Sequence, residues 1–264
     1  NFIPLSAYEL VKRINKIPKV ELANLPTPLE FLPNISKELE INLFIKRDDC
    51  TGLAFGGNKT RHLEFIMHKA KIGDYDCVLT GAATQSNWCR QTVAAANKLG
   101  LETFLVLVRG VKSNQMQGNF LLYDVLGAQV DVVEGENVED IPEHLDRKYE
   151  ELIKAGRKPL LIKGGFDIND SVLAGISYAN AMAELDFQMK ENNFMADHLI
   201  VTAANMTQAG CDLGSKILGW PTRIQGISPV YWKMNIKEDI ARICNKGAEM
   251  LKVDLEFSAD MMNN

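Results

Sequence analysis

Apolar positions recur along this chain in two rhythms, and the two rhythms alternate. Ala7, Leu10, Val11 and Ile14 fall at helical spacing and predict a short amphipathic helix over 7–15. Leu25-Pro26-Thr27-Pro28-Leu29 follows as an extended passage, because a residue before proline avoids the α region. Leu43-Phe44-Ile45 is a short apolar run with the bounds of a strand. Leu63, Ile66 and Met67 then return to helical spacing from Lys59 to about Ala70. Cys77–Thr80 predicts the next strand, and Gly81-Ala82-Ala83-Thr84 a turn into a helix from about Ser86 to Leu99. Phe104–Val108 is apolar without interruption, the signature of a strand covered on both faces. Helices near 116–126 and 143–155 interleave with strands at 129–133 and 160–162. A longer helix covers roughly 171–186. Strands at 199–201 and 223–227 flank a helix that ends near Leu218, and a last helix spans 236–249.

Strand and helix in this order predict an open α/β architecture with a parallel sheet and right-handed crossovers. Ligands in such sheets bind beyond the carboxyl ends of the strands, at loops that feed helices. Loops 81–87, 164–170 and 202–207 have that position. No internal repeat, low-complexity tract or long linker interrupts the pattern.

Composition narrows the choice of partner. The 264 residues are 46% apolar and 24% charged, ordinary for a globular protein with ample core. A net charge of -5 argues against a nucleic-acid partner, which would want a basic stripe. Cys50, Cys77, Cys89, Cys211 and Cys244 are scattered and odd in number. No pair has metal-ligand spacing, so no metal is expected and a reduced, cytoplasmic compartment is. No apolar run approaches membrane-spanning length, and the first twenty residues lack the apolar core of a signal peptide. The chain opens on Asn, so the expectation is that a few residues precede it.

The candidate chemistry centres on Gly56-Gly57-Asn58-Lys59-Thr60-Arg61. Two glycines free the backbone for a left-handed turn or a close approach. Lys59 then stands in the first turn of a helix, where the dipole disfavours a cation. One reading is a solvated lysine after a glycine turn. Another is an amine with a depressed pKa, ready to react with a carbonyl. A phosphate-binding P-loop fails, because Asn58 separates the glycines from Lys59 and Arg47-Asp48-Asp49-Cys50 occupies the place of the strand that should feed it. Gln85-Ser86-Asn87 likewise has two readings: an ordinary helix cap, or a hydroxyl, an amide and free backbone N–H groups presented to an anionic ligand.

Together these segments resemble a known family. Pro26-Thr-Pro-Leu-Glu-Phe-Leu, Ile45-Lys-Arg-Asp-Asp49, Gly56–Arg61, Gln85-Ser-Asn87, Cys89-Arg-Gln-Thr92, Gly118-Asn119, Gly164-Gly165 and Thr207-Gln-Ala-Gly210 occur in the order found in the pyridoxal-phosphate family of D-cysteine desulfhydrase and 1-aminocyclopropane-1-carboxylate deaminase. The likeness runs over nearly the whole chain. It implies the tryptophan synthase β-like fold, fold type II, with a small α/β domain over 60–163 and a large cofactor-binding domain from 1–59 plus 164–264. It also implies pyridoxal phosphate as cofactor, a small amino acid as substrate and a homodimer.

By the same resemblance Lys59 and Ser86 are the candidate catalytic residues. Lys59, held on the cofactor's aldehyde at rest, is released to act as general base. Asn58 and Asn87 contact the cofactor, and Ala203, Ala204, Asn205, Met206 and Thr207 form its phosphate loop. Gln85, Ser86, Asn87 and Trp88 face the substrate, although Trp88 reads equally as an interior packing residue. Three departures stand out. Ala203 and Ala204 replace flexible glycines, with Asn205 and Thr207 left as donors. His62 stands where relatives carry a lysine near the phosphate, and otherwise reads as a surface residue one turn into a helix. Relatives also continue past Asn264, supplying a carboxylate for the pyridine nitrogen and a tyrosine near the substrate. Tyr231 and Glu256 fall outside the family's motif and receive no role, so a C-terminally truncated large domain is expected, with an apolar surface for another chain to cover. The implied activity is α,β-elimination from D-cysteine. The alternatives are deamination of 1-aminocyclopropane-1-carboxylate or a D-serine-type substrate, or a non-catalytic relative that binds the cofactor or an amino acid.

Overall fold

The computed structural model describes residues 2–109, 115–135, 138–229 and 234–264. Tyr231 lies outside them. The chain divides into two compact units, one made of 1–18, 24–50 and 171–264 and the other of 19–23 and 51–170. This division sets 19–23, 51–59 and 164–170 with the second unit, whereas the sequence places them in the large domain.

The second unit holds the principal sheet. Strands β3 (Cys77–Ala83), β4 (Glu102–Val108), β5 (Gln129–Val133) and β6 (Pro159–Leu161) are all parallel, in the order β5-β4-β3-β6. Helices α5 (Asn87–Lys98), α6 (Gly118–Val125) and α7 (Ile141–Lys154) make the crossovers. Cys77, Leu79, Phe104, Val106 and Val108 bury one sheet face against Ile141, Leu145 and Leu152 of α7. The chain leaves β3 for β4 on one side and returns as β6 on the other. A topological switch therefore falls between β3 and β6, the place where an open α/β sheet leaves a crevice. Ahead of the sheet come α3 (Lys59–Ile66) and α4 (His68–Ile72), a break at Met67 in what the sequence reads as one helix. Residues 19–23 clip onto α3, where Glu64 Oε1 accepts from Leu22 and Ala23 N–H at 2.9 and 3.0 Å.

The first unit is mainly helical. It contains α1 (Ala7–Ile14), α9 (Met206–Leu218), α10 (Ile236–Met250) and most of α8 (Ile168–Glu191). Its parallel pair β7 (His198–Thr202) and β8 (Arg223–Ile227) packs Leu199, Val201 and Ile224 against Tyr178, Ala181, Met182 and Cys211. Gly210 permits the close crossing of α8 and α9, since a Cβ there would lie 2.2 Å from Gly175 O. Two elements were not foreseen. Strand β1 (Leu29–Phe31) pairs antiparallel with β2 (Phe44–Lys46), and α2 (Pro33–Leu39) connects them. The turn expected at Gly81–Ala83 is instead the end of β3. Among the described residues no helix is long and apolar enough to cross a membrane, and no His, Cys, Asp and Glu cluster could hold a metal.

Candidate active site

The loop before Lys59 has an unusual backbone. Gly52, Gly56 and Gly57 have φ of 88°, 74° and 130°, and Ala54 and Phe55 take φ of 44° and 68° without being glycine. Left-handed backbone at Ala and Phe costs on the order of 1–2 kcal/mol per residue, so the surroundings must hold it. Buried Thr51 brackets the turn: its Oγ1 accepts from Gly57 N–H at 2.8 Å and donates to Gly57 O at 2.9 Å. Arg90 reaches across from α5, with Nη1 donating to Ala54 O at 2.6 Å and Nη2 to Gly56 O at 3.1 Å. Gln91 Oε1 accepts from both Thr60 N–H and Thr60 Oγ1.

Lys59 opens α3 directly after this turn. Its amine makes no hydrogen bond or ion pair with a described residue. Burial alone pushes it down to about 8, so near neutral pH a usable fraction is uncharged. Desolvation acts here in the same direction as the dipole of α3, whose first turn holds Lys59.

The carboxyl end of β3 supplies a second group. Ser86 caps α5, its Oγ accepting from Cys89 N–H at 3.3 Å. Asn87 is exposed, and its Oδ1 accepts from Asn119 Nδ2 at 2.9 Å and Arg90 Nη2 at 3.2 Å. The Asn87 amide nitrogen and the Ser86 hydroxyl proton have no partner among the described residues, and both can donate to a ligand. Gln85 spends more of its amide on the protein. Its Nε2 donates to Gln117 O at 3.0 Å and its Oε1 accepts from Asn119 N–H at 3.0 Å, so it shapes the turn. Gly118, at φ 55°, is required there because a Cβ would meet Gln85 Oε1 at 2.8 Å. Tyr123 OH donates to Ser86 O at 2.9 Å and closes the network. Trp88 is buried as an interior residue: its Nε1 donates to Thr80 Oγ1 at 2.9 Å, Thr80 in turn donates to Ile162 O, and its ring faces Gly164. It thus ties β3 to β6 at the switch point.

Residues 203–207 belong to the first unit. Ala203 N–H donates to Ile227 O at 3.1 Å, and Asn205 caps α9 by accepting from Met206 N–H at 2.8 Å. No residue from Ala203 to Thr207 is left-handed, so the two alanines stand there without strain. Asn205 Nδ2 donates one of its two protons to Asp239 Oδ2 at 2.9 Å. Thr207 is buried in the first turn. His62 is a further correction: it is fully buried, not a surface residue. Asp48 accepts from Thr27 Oγ1 at 2.8 Å and from Tyr178 OH, and Asp49 pairs with Arg47, so both carboxylates serve the local frame.

Asn58 precedes Lys59 as the residue at the α3 cap. The partners that the sequence reading missed are Arg90, Gln91 and Asn119. The first two sit three and four residues after Asn87, hence on its face of α5.

A parallel α/β frame with a half-buried, unpaired lysine and a helix start offering a hydroxyl and an amide suits enzymes that work through amine–carbonyl chemistry. The chain belongs to the pyridoxal-phosphate-dependent enzyme family, whose pattern matches residues 20–243. It is 35% identical to a putative 1-aminocyclopropane-1-carboxylate deaminase of Pyrococcus horikoshii, over 93% of this chain and 73% of that one. It is 32% identical to a D-cysteine desulfhydrase of Klebsiella pneumoniae, over 83% and 66%. The crystal structure of an ACC deaminase homologue superposes with a TM-score of 0.85 at 32% identity, covering 95% of this chain and 74% of that one. A threonine deaminase at 18% identity shares the fold, with a TM-score of 0.61 over 85% and 65%.

The fold is therefore the fold-type II α/β class expected from the sequence, and pyridoxal phosphate is the cofactor. The residues present suit it. An unpaired amine held near neutrality answers an aldehyde, and the free donors of Asn87 and Ser86 answer oxygens.

Proposed function

We propose that this chain is a lyase that eliminates a β-leaving group from a small amino acid, with D-cysteine as the leading substrate. The observation that carries the proposal is the Lys59 amine, unpaired and lowered to about 8 by burial. Lys59 holds the cofactor at rest and, once substrate displaces it, its neutral amine takes the Cα proton. The bound cofactor supplies the electron sink for that proton's bonding pair. The Ser86 hydroxyl and the N–H groups at the start of α5 bind the substrate carboxylate, and Asn87 donates its amide N–H to the cofactor ring.

The reaction balances without an external oxidant. The Cα–H and Cβ–S bonds break, the sulfur leaves with its pair and a proton, and water replaces nitrogen, so D-cysteine and water give pyruvate, sulfide and ammonia. A second reading, deamination of 1-aminocyclopropane-1-carboxylate to 2-oxobutanoate and ammonia, is favoured by the Pyrococcus likeness.

The test is the product formed by the cofactor-loaded protein. Pyruvate and sulfide from D-cysteine but not L-cysteine support the first reading; 2-oxobutanoate from the cyclopropane acid supports the second. Activity persisting in Lys59→Ala overturns both.

A further inference from the structure

We infer that Arg90 is a positioning residue of this reaction: its guanidinium clamps the strained turn before Lys59 and fixes that turn against Asn87. The inference rests on the site proposed above and names a residue with no part in it so far.

Phe55 is left-handed and 78% exposed, so no apolar burial offsets the strain at that position. Thr51 pins the end of the turn at Gly57, and Arg90 holds the part around Phe55. Its two terminal nitrogens donate to Ala54 O and Gly56 O, the carbonyls on either side of Phe55. The second of these also donates to Asn87 Oδ1, so one planar group sets both the approach to Lys59 and the placing of Asn87.

Arg90 is only 8% exposed, and no carboxylate among the described residues faces it. Its Nε is buried with no partner. A buried cation answered only by neutral oxygens is a costly way to gain stability. It is a good way to fix geometry, because the guanidinium presents its donors in a rigid fork that an ammonium cannot reproduce. Strain held by surrounding groups beside a reactive side chain points to the same purpose.

The experiment compares Arg90→Ala and Arg90→Lys with the parent protein. Amide hydrogen exchange over 53–60 is followed without cofactor, and kcat, KM and the thermal midpoint with it. Expected are exchange faster by about tenfold across 53–60, with the β3–β4 core unchanged, and kcat lower by about a hundredfold, the scale of a 1 Å misplacement. KM moves little, and free guanidinium restores part of the activity of Arg90→Ala. If the alanine variant does not fold, Arg90→Lys carries the exchange and kinetic arms. Unchanged exchange and kcat, or a lower midpoint without either effect, overturn the clamp. Lys59→Ala is run beside them. If it keeps a borohydride-sensitive absorption band, the reading of the site fails; if it loses the band while the Arg90 variants behave as the parent, only the clamp fails.

Discussion

Gln91 Oε1 accepts two hydrogen bonds from one residue, Thr60, at 2.7 Å from its backbone N–H and 2.8 Å from its hydroxyl. Both residues are fully buried. The first helical turn after Lys59 thus takes its cap from a side chain of α5 that also donates to Asn87 O at 3.1 Å. Truncating Gln91 takes the acceptor from the buried Thr60 hydroxyl and leaves the Thr60 N–H only its longer bond to Gly57 O at 3.2 Å. Gln91→Ala is expected to lower stability by about 2–4 kcal/mol in urea unfolding. Gln91→Met keeps the volume, so whatever loss remains in it belongs to the hydrogen bonds.

Lys59 makes a prediction about pH. Its folded value of about 8 lies below the ordinary 10.5. Between those values the unfolded chain binds a proton at this amine that the folded chain does not, so this residue's contribution to stability rises with pH across that window. Below about 8 the folded state carries a desolvated ammonium. Cofactor-free Lys59→Met is therefore expected to gain on the parent in urea unfolding at pH 7, with the gap narrowing toward pH 10.5. A gap that stays constant over this range removes burial as the cause.

Legibility in the sequence followed locality. Residues 129–133 and 223–227 form strands at the limits their patterns set, and the continuous run at 104–108 is a buried central strand. Gly81 misled because glycine between short residues reads as a turn. Its reason is tertiary: a Cβ there would lie 2.4 Å from Val106 O on the neighbouring strand. Strand β1 and helix α2 went unseen because Pro26, Pro28 and Pro33 punctuate a stretch whose pairing is settled by its distant partner Phe44–Lys46. The lysine motif was visible as a motif. The Arg90 clamp was not, since it binds backbone carbonyls that leave no mark in the residue string. The bond from Asn205 to Asp239 was not legible either, since its acceptor lies 34 residues further on.

Gly57 tests how tightly the turn is built. It sits at φ 130°, and a Cβ there would approach Gln91 Nε2 to 2.5 Å. Gly57→Ala combines left-handed strain with displacement of the Gln91 amide that serves Asn87 O. The expected cost is about 1–3 kcal/mol from the backbone, read in urea unfolding, with a larger relative fall in kcat than in KM. Gly127, also left-handed but with nothing within 4 Å of its Cβ position, is the control: Gly127→Ala carries the backbone strain alone.

Asp212 makes the clearest pH prediction outside the candidate site. It lies on α9 in the first unit, 9% exposed, and its Oδ2 is buried without a partner. Burial raises its carboxyl to about 7, opposed by the Gln208 amide; the nearby Cys244 thiol is itself pushed well up by its own burial and by Asp212. An unfolded aspartate titrates near 3.8. Between 3.8 and about 7 the folded state binds the proton and the unfolded state does not, so stability falls as pH rises through this window. Above it the interior carries an uncompensated carboxylate. Asp212→Asn keeps the shape and removes the charge. It is expected to be the more stable protein at pH 8, by on the order of 2–4 kcal/mol, with the advantage shrinking steadily toward pH 4. Thermal unfolding at pH 4, 6 and 8 checks it: an advantage independent of pH would mean that Asp212 does not titrate in this range, and that its orphaned oxygen has some other cause.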